Sequence, residues 1–176
     1  MTVAEVDSDL DRRVRDFVRR DFTPHFDELA EEFPTDERWA RLRELGTELW
    51  LDSGDIDAIG DLWTRELSAL TTNNTLLNRE VQKGAYDEFI REAADLLDGF
   101  DLDERELRLE MAFILNARHA LKLVETFDAH VSVEEHTDLA RDVEGAVRTA
   151  RRYHAVCPER FYVKIPFTPS GLLATR

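Results

Sequence analysis

Cysteine is nearly absent from this 176-residue chain. Cys157 stands alone, so neither an intramolecular disulfide nor a multi-thiolate zinc or iron–sulfur site can form, which fits a reducing compartment. Lysine is almost as scarce: of 23 basic residues only Lys83, Lys122 and Lys164 are lysines, so each position is informative. Positive charge is in deficit overall. Against 38 acidic residues the balance is −15, a field that repels nucleic-acid phosphates and anionic lipid while leaving room for one local basic pocket for a phosphorylated metabolite. Apolar runs of membrane-spanning length are missing, and residues 1–21 carry charges every few positions with no signal-peptide h-region or small-residue cleavage site. These absences predict a cytoplasmic protein with neither nucleic acid nor a membrane as partner.

What is present is a globular composition, 43% hydrophobic and 35% charged, in a length of about one domain by the prior of roughly 100–200 residues. Residues 1–47 have helical spacing only. Val6, Leu10, Val14 and Val18 recur every four residues with Phe17 beside them, and Thr35 is placed to cap a second helix carrying Trp39, Leu42 and Leu45 until Gly46 ends it. From residue 48 the texture becomes short apolar runs ending in polar residues, each followed by a helix-period stretch, the pattern of βα units. The expected strands are Leu49–Asp52, Leu70–Asn73, His130–Glu134 and Phe161–Pro166. Between them lie helical stretches after Asp55, over 85–97, over 104–127 opened by Asp103 and Glu106, and over about 139–156. Thr168 to Ala174 reads as a turn entering a last helix. Two domains of organisation result: a helical extension over 1–47 and a βα region over 48–176.

In parallel βα architectures the carboxyl ends of the strands face one side, where sites form. Here those ends carry Asp52, Asn73, Glu134 and Lys164. Strand alternation puts Lys164 on the face of Tyr162, opposite Phe161, Val163 and Ile165, so its amine projects into a sheet or barrel interior. A desolvated amine is the nucleophile that forms a Schiff base with a carbonyl; the plainer alternative is a snorkelling or salt-bridged lysine. Asp52 and Glu134 suit proton transfer, or else cap a helix or pair with an arginine. Asn73 can hold substrate hydroxyls, or be a turn residue in left-handed backbone. Glu134, His136 and Asp138 alternate without the spacing of a metal site. His25, His119 and His154 sit in helical surroundings, and Cys157 is expected to be a small buried thiol.

Four stretches taken in order resemble the transaldolases and fructose 6-phosphate aldolases. Leu49-Trp50-Leu51-Asp52-Ser53 is similar to that family's first strand, and Leu70-Thr71-Thr72-Asn73-Asn74-Thr75-Leu76 to its second, where proline usually occupies the position of Asn74. Val131-Ser132-Val133-Glu134 resembles the third. Tyr162-Val163-Lys164-Ile165-Pro166, with Thr168 and Gly171-Leu172, resembles the fourth, which carries the Schiff-base lysine. The resemblance implies an α/β fold, the N-terminal half of a TIM (β/α)8 barrel truncated after its fourth parallel strand, behind an N-terminal helical extension. It implies Lys164 as the nucleophile on a ketose carbonyl, Asp52 as base for the substrate hydroxyl and Glu134 as proton relay through a water. Asn73, Thr72 and Ser132 would bind substrate. Sugar phosphates are the implied substrates, and no metal or cofactor is implied. The later strands, with the phosphate grip, are not in these residues, so a longer parent protein, an oligomer or a complementary C-terminal half is expected. The alternative is a non-catalytic half-barrel that binds sugar phosphates or another protein.

Overall fold

The computed structural model describes residues 8–26 and 32–176. Its order is α1 (Asp9–Arg19), α2 (Glu37–Glu44), β1 (Leu49–Asp52), α3 (Ile56–Gly60), β2 (Leu67–Thr71), α4 (Asn74–Gln82), α5 (Asp87–Leu97), α6 (Glu104–Phe127), β3 (His130–Glu134), α7 (Val143–Val156), β4 (Phe161–Lys164) and α8 (Pro169–Thr175). The four strands form one sheet in the order β1-β2-β3-β4, parallel throughout. This is the α/β half-barrel expected from the sequence.

Register explains both faces. Trp50 pairs with Ala69 and Ala69 with His130; Asp52 pairs with Thr71, Thr71 with Ser132 and Ser132 with Tyr162; Glu134 pairs with Lys164. Paired residues in a parallel ladder share a face, so all of these line one side. The alternate residues Leu51, Leu70, Val131, Val133, Phe161 and Val163 pack into the core beneath the helices. Trp50 on β1 and Tyr162 on β4 stack with ring centroids 5.6 Å apart, although they sit on the two edges of the sheet. In a flat sheet three strand spacings would hold those edges about 14 Å apart. The sheet is therefore curled, with this face concave, as in a barrel wall.

Most boundaries follow local chemistry. Ser8 and Asp11 form a capping box on α1, whose Val14 and Val18 are fully buried; Val6, expected on the same stripe, lies outside the described residues. Helix α2 is capped by Asp36 instead of Thr35, because the Asp36 carboxylate reaches the Arg38 N–H, and α2 buries none of its residues, leaving Trp39 and Leu45 exposed. Strand β2 runs earlier than expected: its ladder with β1 begins at Leu67 and its last strand residue is Thr71, after which Asn73 caps α4 through its Oδ1 and the Leu76 N–H at 2.9 Å. Asn73 has φ −151° and ψ 170°, extended and not left-handed backbone. Helix α4 is an addition to the two helices expected between the second and third strands. Strand β4 is likewise shorter than expected and ends at Lys164. Helix α1 joins the same core: Phe17 stacks on Phe89 of α5, and the half-buried Arg152 of α7 bridges Asp11 of α1 at 2.7 Å and Glu110 of α6 at 2.6 Å.

Two glycines sit at close approaches between segments. A Cβ at Gly171 would lie 1.9 Å from the Pro166 carbonyl oxygen, so the first turn of α8 packs directly on the chain leaving β4. At Gly54 a Cβ would meet Thr72 Oγ1 at 3.1 Å and both His119 Nε2 and Leu76 Cβ at 3.3 Å.

The core contains two titratable groups with opposite pH signatures. Glu135 is fully buried with both carboxylate oxygens lacking a hydrogen bond, and desolvation pushes its pKa up to about 7. His119, buried on α6, is pulled down to about 4, chiefly by desolvation, then by the Lys122 charge; its Nδ1 shares a 2.8 Å hydrogen bond with the Tyr86 hydroxyl. For Glu135 the folded state holds the proton longer than the unfolded chain, so stability falls as pH rises from about 4.5 to 7 and stays low above. The full penalty is about 3 kcal/mol. For His119 the unfolded chain takes the proton first, so stability falls as pH drops from about 6.5 toward 4. Thermal melts of Glu135→Gln should show a gain over the wild type at pH 8 that shrinks to nothing near pH 4. An equal offset at both pH values would contradict a neutral buried Glu135.

Candidate active site

The strand ends converge around Lys164. Its Nζ donates to the Thr72 carbonyl at 2.8 Å and lies 3.5 Å from Glu134 Oε1. Glu134 Oε2 accepts from the backbone N–H of Asn74 and from Asn74 Nδ2, both at 3.0 Å. Ser132 is buried on β3, two residues before Glu134 on the same face, and its carbonyl accepts the Thr72 N–H at 3.3 Å. Asp52 ends β1 on that face, exposed, in register with Thr71. Below these groups Tyr162 stacks with both Trp50 and His130, with centroids 5.0 Å apart in the second pair. The floor is aromatic and the rim ionic.

Of the residues expected at the site, the structure brings Lys164, Glu134, Asp52 and Ser132 to one face of the sheet. Two placements differ. The Thr72 hydroxyl is turned behind the sheet, buried beside Gly54 and His119 with no hydrogen bond, so Thr72 meets the lysine with its carbonyl. Asn73 commits its side-chain oxygen to the α4 cap. Lys164 is also less desolvated than expected: its side chain is 36% exposed, because the concave face is open above it. Beside Asn74, two more residues that sequence reasoning did not single out for the site belong to it. Thr71 takes the concave position on β2, and Asn116, buried on α6, donates to Asn74 Oδ1 at 3.0 Å. A polar residue between Phe113 and Ala117 on an apolar helix face was the available signal for Asn116.

The remaining titratable groups are structural. His136 uses Nδ1 to accept from the Asp138 N–H at the start of a 3-10 turn over Thr137–Leu139. Among the described residues no group of three or more His, Cys, Asp or Glu side chains could hold a metal, and no helix is long and apolar enough to cross a membrane. Cys157 is buried, and desolvation pushes its thiol up. Lys83 pairs with Asp55 at 2.9 Å and Glu80 at 2.8 Å, and Lys122 lies over the Tyr86 ring. Of the three lysines, only Lys164 sits at the carboxyl ends of the strands.

A lysine amine at the end of the fourth parallel strand, faced by a carboxylate from the third, is the arrangement that the family resemblance predicted. The sequence profile described as Transaldolase/Fructose-6-phosphate aldolase matches residues 49–176. The chain belongs to this family. Among curated relatives, the transaldolase of Xanthomonas euvesicatoria pv. vesicatoria (strain 85-10) is 33% identical over 144 residues, covering 78% of this chain and 44% of the relative. The transaldolase of Xanthomonas oryzae pv. oryzae (strain KACC10331 / KXO85) is 30% identical with the same coverage. That of Renibacterium salmoninarum is 26% identical over 149 residues, 77% of this chain and 39% of the relative. The chain thus spans less than half the length of the curated relatives it matches.

Gly54, just past the end of β1, lies against the buried Thr72 hydroxyl and the His119 imidazole. Gly54→Ala should overfill this contact and cost about 1–3 kcal/mol, lowering the melting temperature by several degrees. A melt unchanged from wild type would show that Thr72 and His119 can yield.

Proposed function

We propose that this chain carries the nucleophile half of a transaldolase-type class I transferase. In this reading the neutral amine of Lys164 attacks the C2 carbonyl of a ketose phosphate and forms a carbinolamine, which loses water to an iminium. Glu134 handles the protons of that dehydration through a water. Asp52 takes the proton of the C4 hydroxyl as the C3–C4 bond breaks, releasing an aldose phosphate and leaving a dihydroxyacetone enamine on Lys164. Addition of the enamine to an acceptor aldose phosphate, then hydrolysis of the new iminium, frees the lysine. Asn73 and Ser132 would contact substrate hydroxyls, with Thr72 contributing its carbonyl beside the amine. The chemistry needs no metal or cofactor. Its setting would be the cytoplasmic pentose phosphate pathway.

The observation that supports this reading most is the Lys164–Glu134 pair, 3.5 Å apart at the carboxyl end of the sheet, on a concave face also carrying Asp52. Coverage of less than half of the relatives' length favours a division of labour. The phosphate grip and the remaining wall would come from a second, C-terminal half, whether in a longer protein, in a complementary chain or by oligomerisation. The same coverage favours a second reading, a half-barrel that binds sugar phosphates or another protein without turning anything over.

Borohydride reduction in the presence of fructose 6-phosphate, followed by peptide mass spectrometry, separates the two. The first reading predicts a three- or six-carbon adduct on Lys164, none on Lys83 or Lys122, and none in Lys164→Met. An unmodified Lys164 in both this chain and any longer product of its gene would leave the second reading standing.

A further inference from the structure

Glu134 is held by a single residue. Its Oε2 accepts both donors that Asn74 offers on that side, the backbone N–H and one hydrogen of Nδ2, each at 3.0 Å, while its Oε1 faces Lys164 Nζ at 3.5 Å. The second hydrogen of Asn74 Nδ2 goes to the Glu135 carbonyl at 3.1 Å. Asn74 Oδ1 accepts from Asn116 Nδ2 at 3.0 Å, and the other hydrogen of that nitrogen goes to the Ala112 carbonyl at 3.0 Å. Both amides have all their N–H groups in use. Neither can be turned over, since a flipped Asn74 would set its oxygen against a carboxylate and a carbonyl, and a flipped Asn116 would set its oxygen against the Ala112 carbonyl.

We infer that Asn74 is the positioning residue for Glu134: it pins Oε2 so that only Oε1 is presented to the Lys164 amine, and Asn116 fixes Asn74 in turn. This rests on the Schiff-base reading of Lys164. The physical basis is specific to the place of Asn74 in the fold. It is the first residue of α4, where a backbone N–H has no partner within the helix, and a carboxylate from β3 supplies one. Without the two donors the long Glu134 side chain is free to swing fully onto the ammonium of Lys164 or out to solvent, and either motion removes the relay from its working position. The other charged groups near this carboxylate are Lys164 on β4, Glu135 next in the chain and Asp52 on the same concave face.

Proline, the residue the family usually carries at position 74, tests whether this chain depends on Asn74 in its place. It suits the first position of a helix, so α4 is expected to hold, yet it removes both donors at once, whereas Asn74→Ala removes only the side-chain amide. Two measurements on the full 176-residue chain decide the inference. In 1H–15N spectra recorded against pH, the backbone and side-chain amide signals of Asn74 should follow one carboxylate titration that disappears in Glu134→Gln. The rate of adduct trapping on Lys164 with fructose 6-phosphate and borohydride should fall about tenfold in Asn74→Ala and on the order of a hundredfold in Asn74→Pro, within the range of a proton-transfer contribution. Melting temperatures should fall by a few degrees and by similar amounts in both variants, which alike leave the buried Asn116 amide short of a partner, and Asn74→Pro combined with Glu134→Gln should be no slower than Glu134→Gln alone. A proline variant as fast as wild type, a loss that tracks melting temperature, effects that multiply in the double variant, or Asn74 signals blind to Glu134 would each overturn the inference. A wild-type chain that forms no adduct overturns the Schiff-base reading instead, and the titration alone then supports or overturns the hold of Asn74 on Glu134.

Discussion

Strand register is the constraint on which the site depends. Side chains alternate along a strand with a period of two, and a parallel ladder carries that parity from strand to strand. Asp52, Thr71, Ser132 and Tyr162 are joined in one such line, and Glu134 pairs with Lys164 one pleat higher. A slip of one residue between β3 and β4 would send Lys164 into the helix-covered core and bring Val163 to the concave face. The apolar alternates Phe161 and Val163 prevent that slip, because both would have to leave the core they share with Val131 and Val133 of β3. Packing behind the sheet thereby determines the chemistry in front of it.

The curl of the sheet does the rest. Stacking of Trp50 on Tyr162 across the concave face closes its lower part with aromatic rings, and the ionic groups stand above, at the carboxyl ends. That upper part is only half walled. Lys164 keeps about a third of its side-chain surface exposed, and Asp52 is exposed. An amine used as a nucleophile at neutral pH gains from desolvation, which favours its uncharged form. Four strands suffice to place the lysine against its carboxylate; a fuller wall would be needed to dry it. The chain spans less than half the length of the transaldolases it matches.

Much of this was legible in the sequence because it rests on local patterns. The strand Leu49–Asp52, the strand His130–Glu134 and the turn from Thr168 into α8 follow from alternation and turn chemistry alone. What was not legible depends on tertiary partners. Strand β2 begins at Leu67 because β1 offers it a ladder there, which the Glu66-Leu67-Ser68-Ala69 segment does not announce by composition. Thr72 and Asn73, on the face of it two polar groups aimed at substrate, divide instead into a carbonyl beside the lysine and a helix cap. The Asn73-Asn74 pair resembles a turn, and only the nearness of Glu134 and Asn116 makes its second member part of the site. Glu135 gives no hint of burial in a sequence this acidic, yet it lies wholly inside.

The proposed chemistry requires Lys164 Nζ to be the atom that bonds substrate, within reach of Glu134. The most direct measurement is a crystal structure of the chain after borohydride reduction with dihydroxyacetone. The account predicts continuous density from Lys164 Nζ into a three-carbon unit, with Glu134 Oε1 facing the new C–N bond and Asp52 lining the same concave face. Density on Lys83 or Lys122 instead, or a bare Lys164 still bonded to the Thr72 carbonyl, would contradict it.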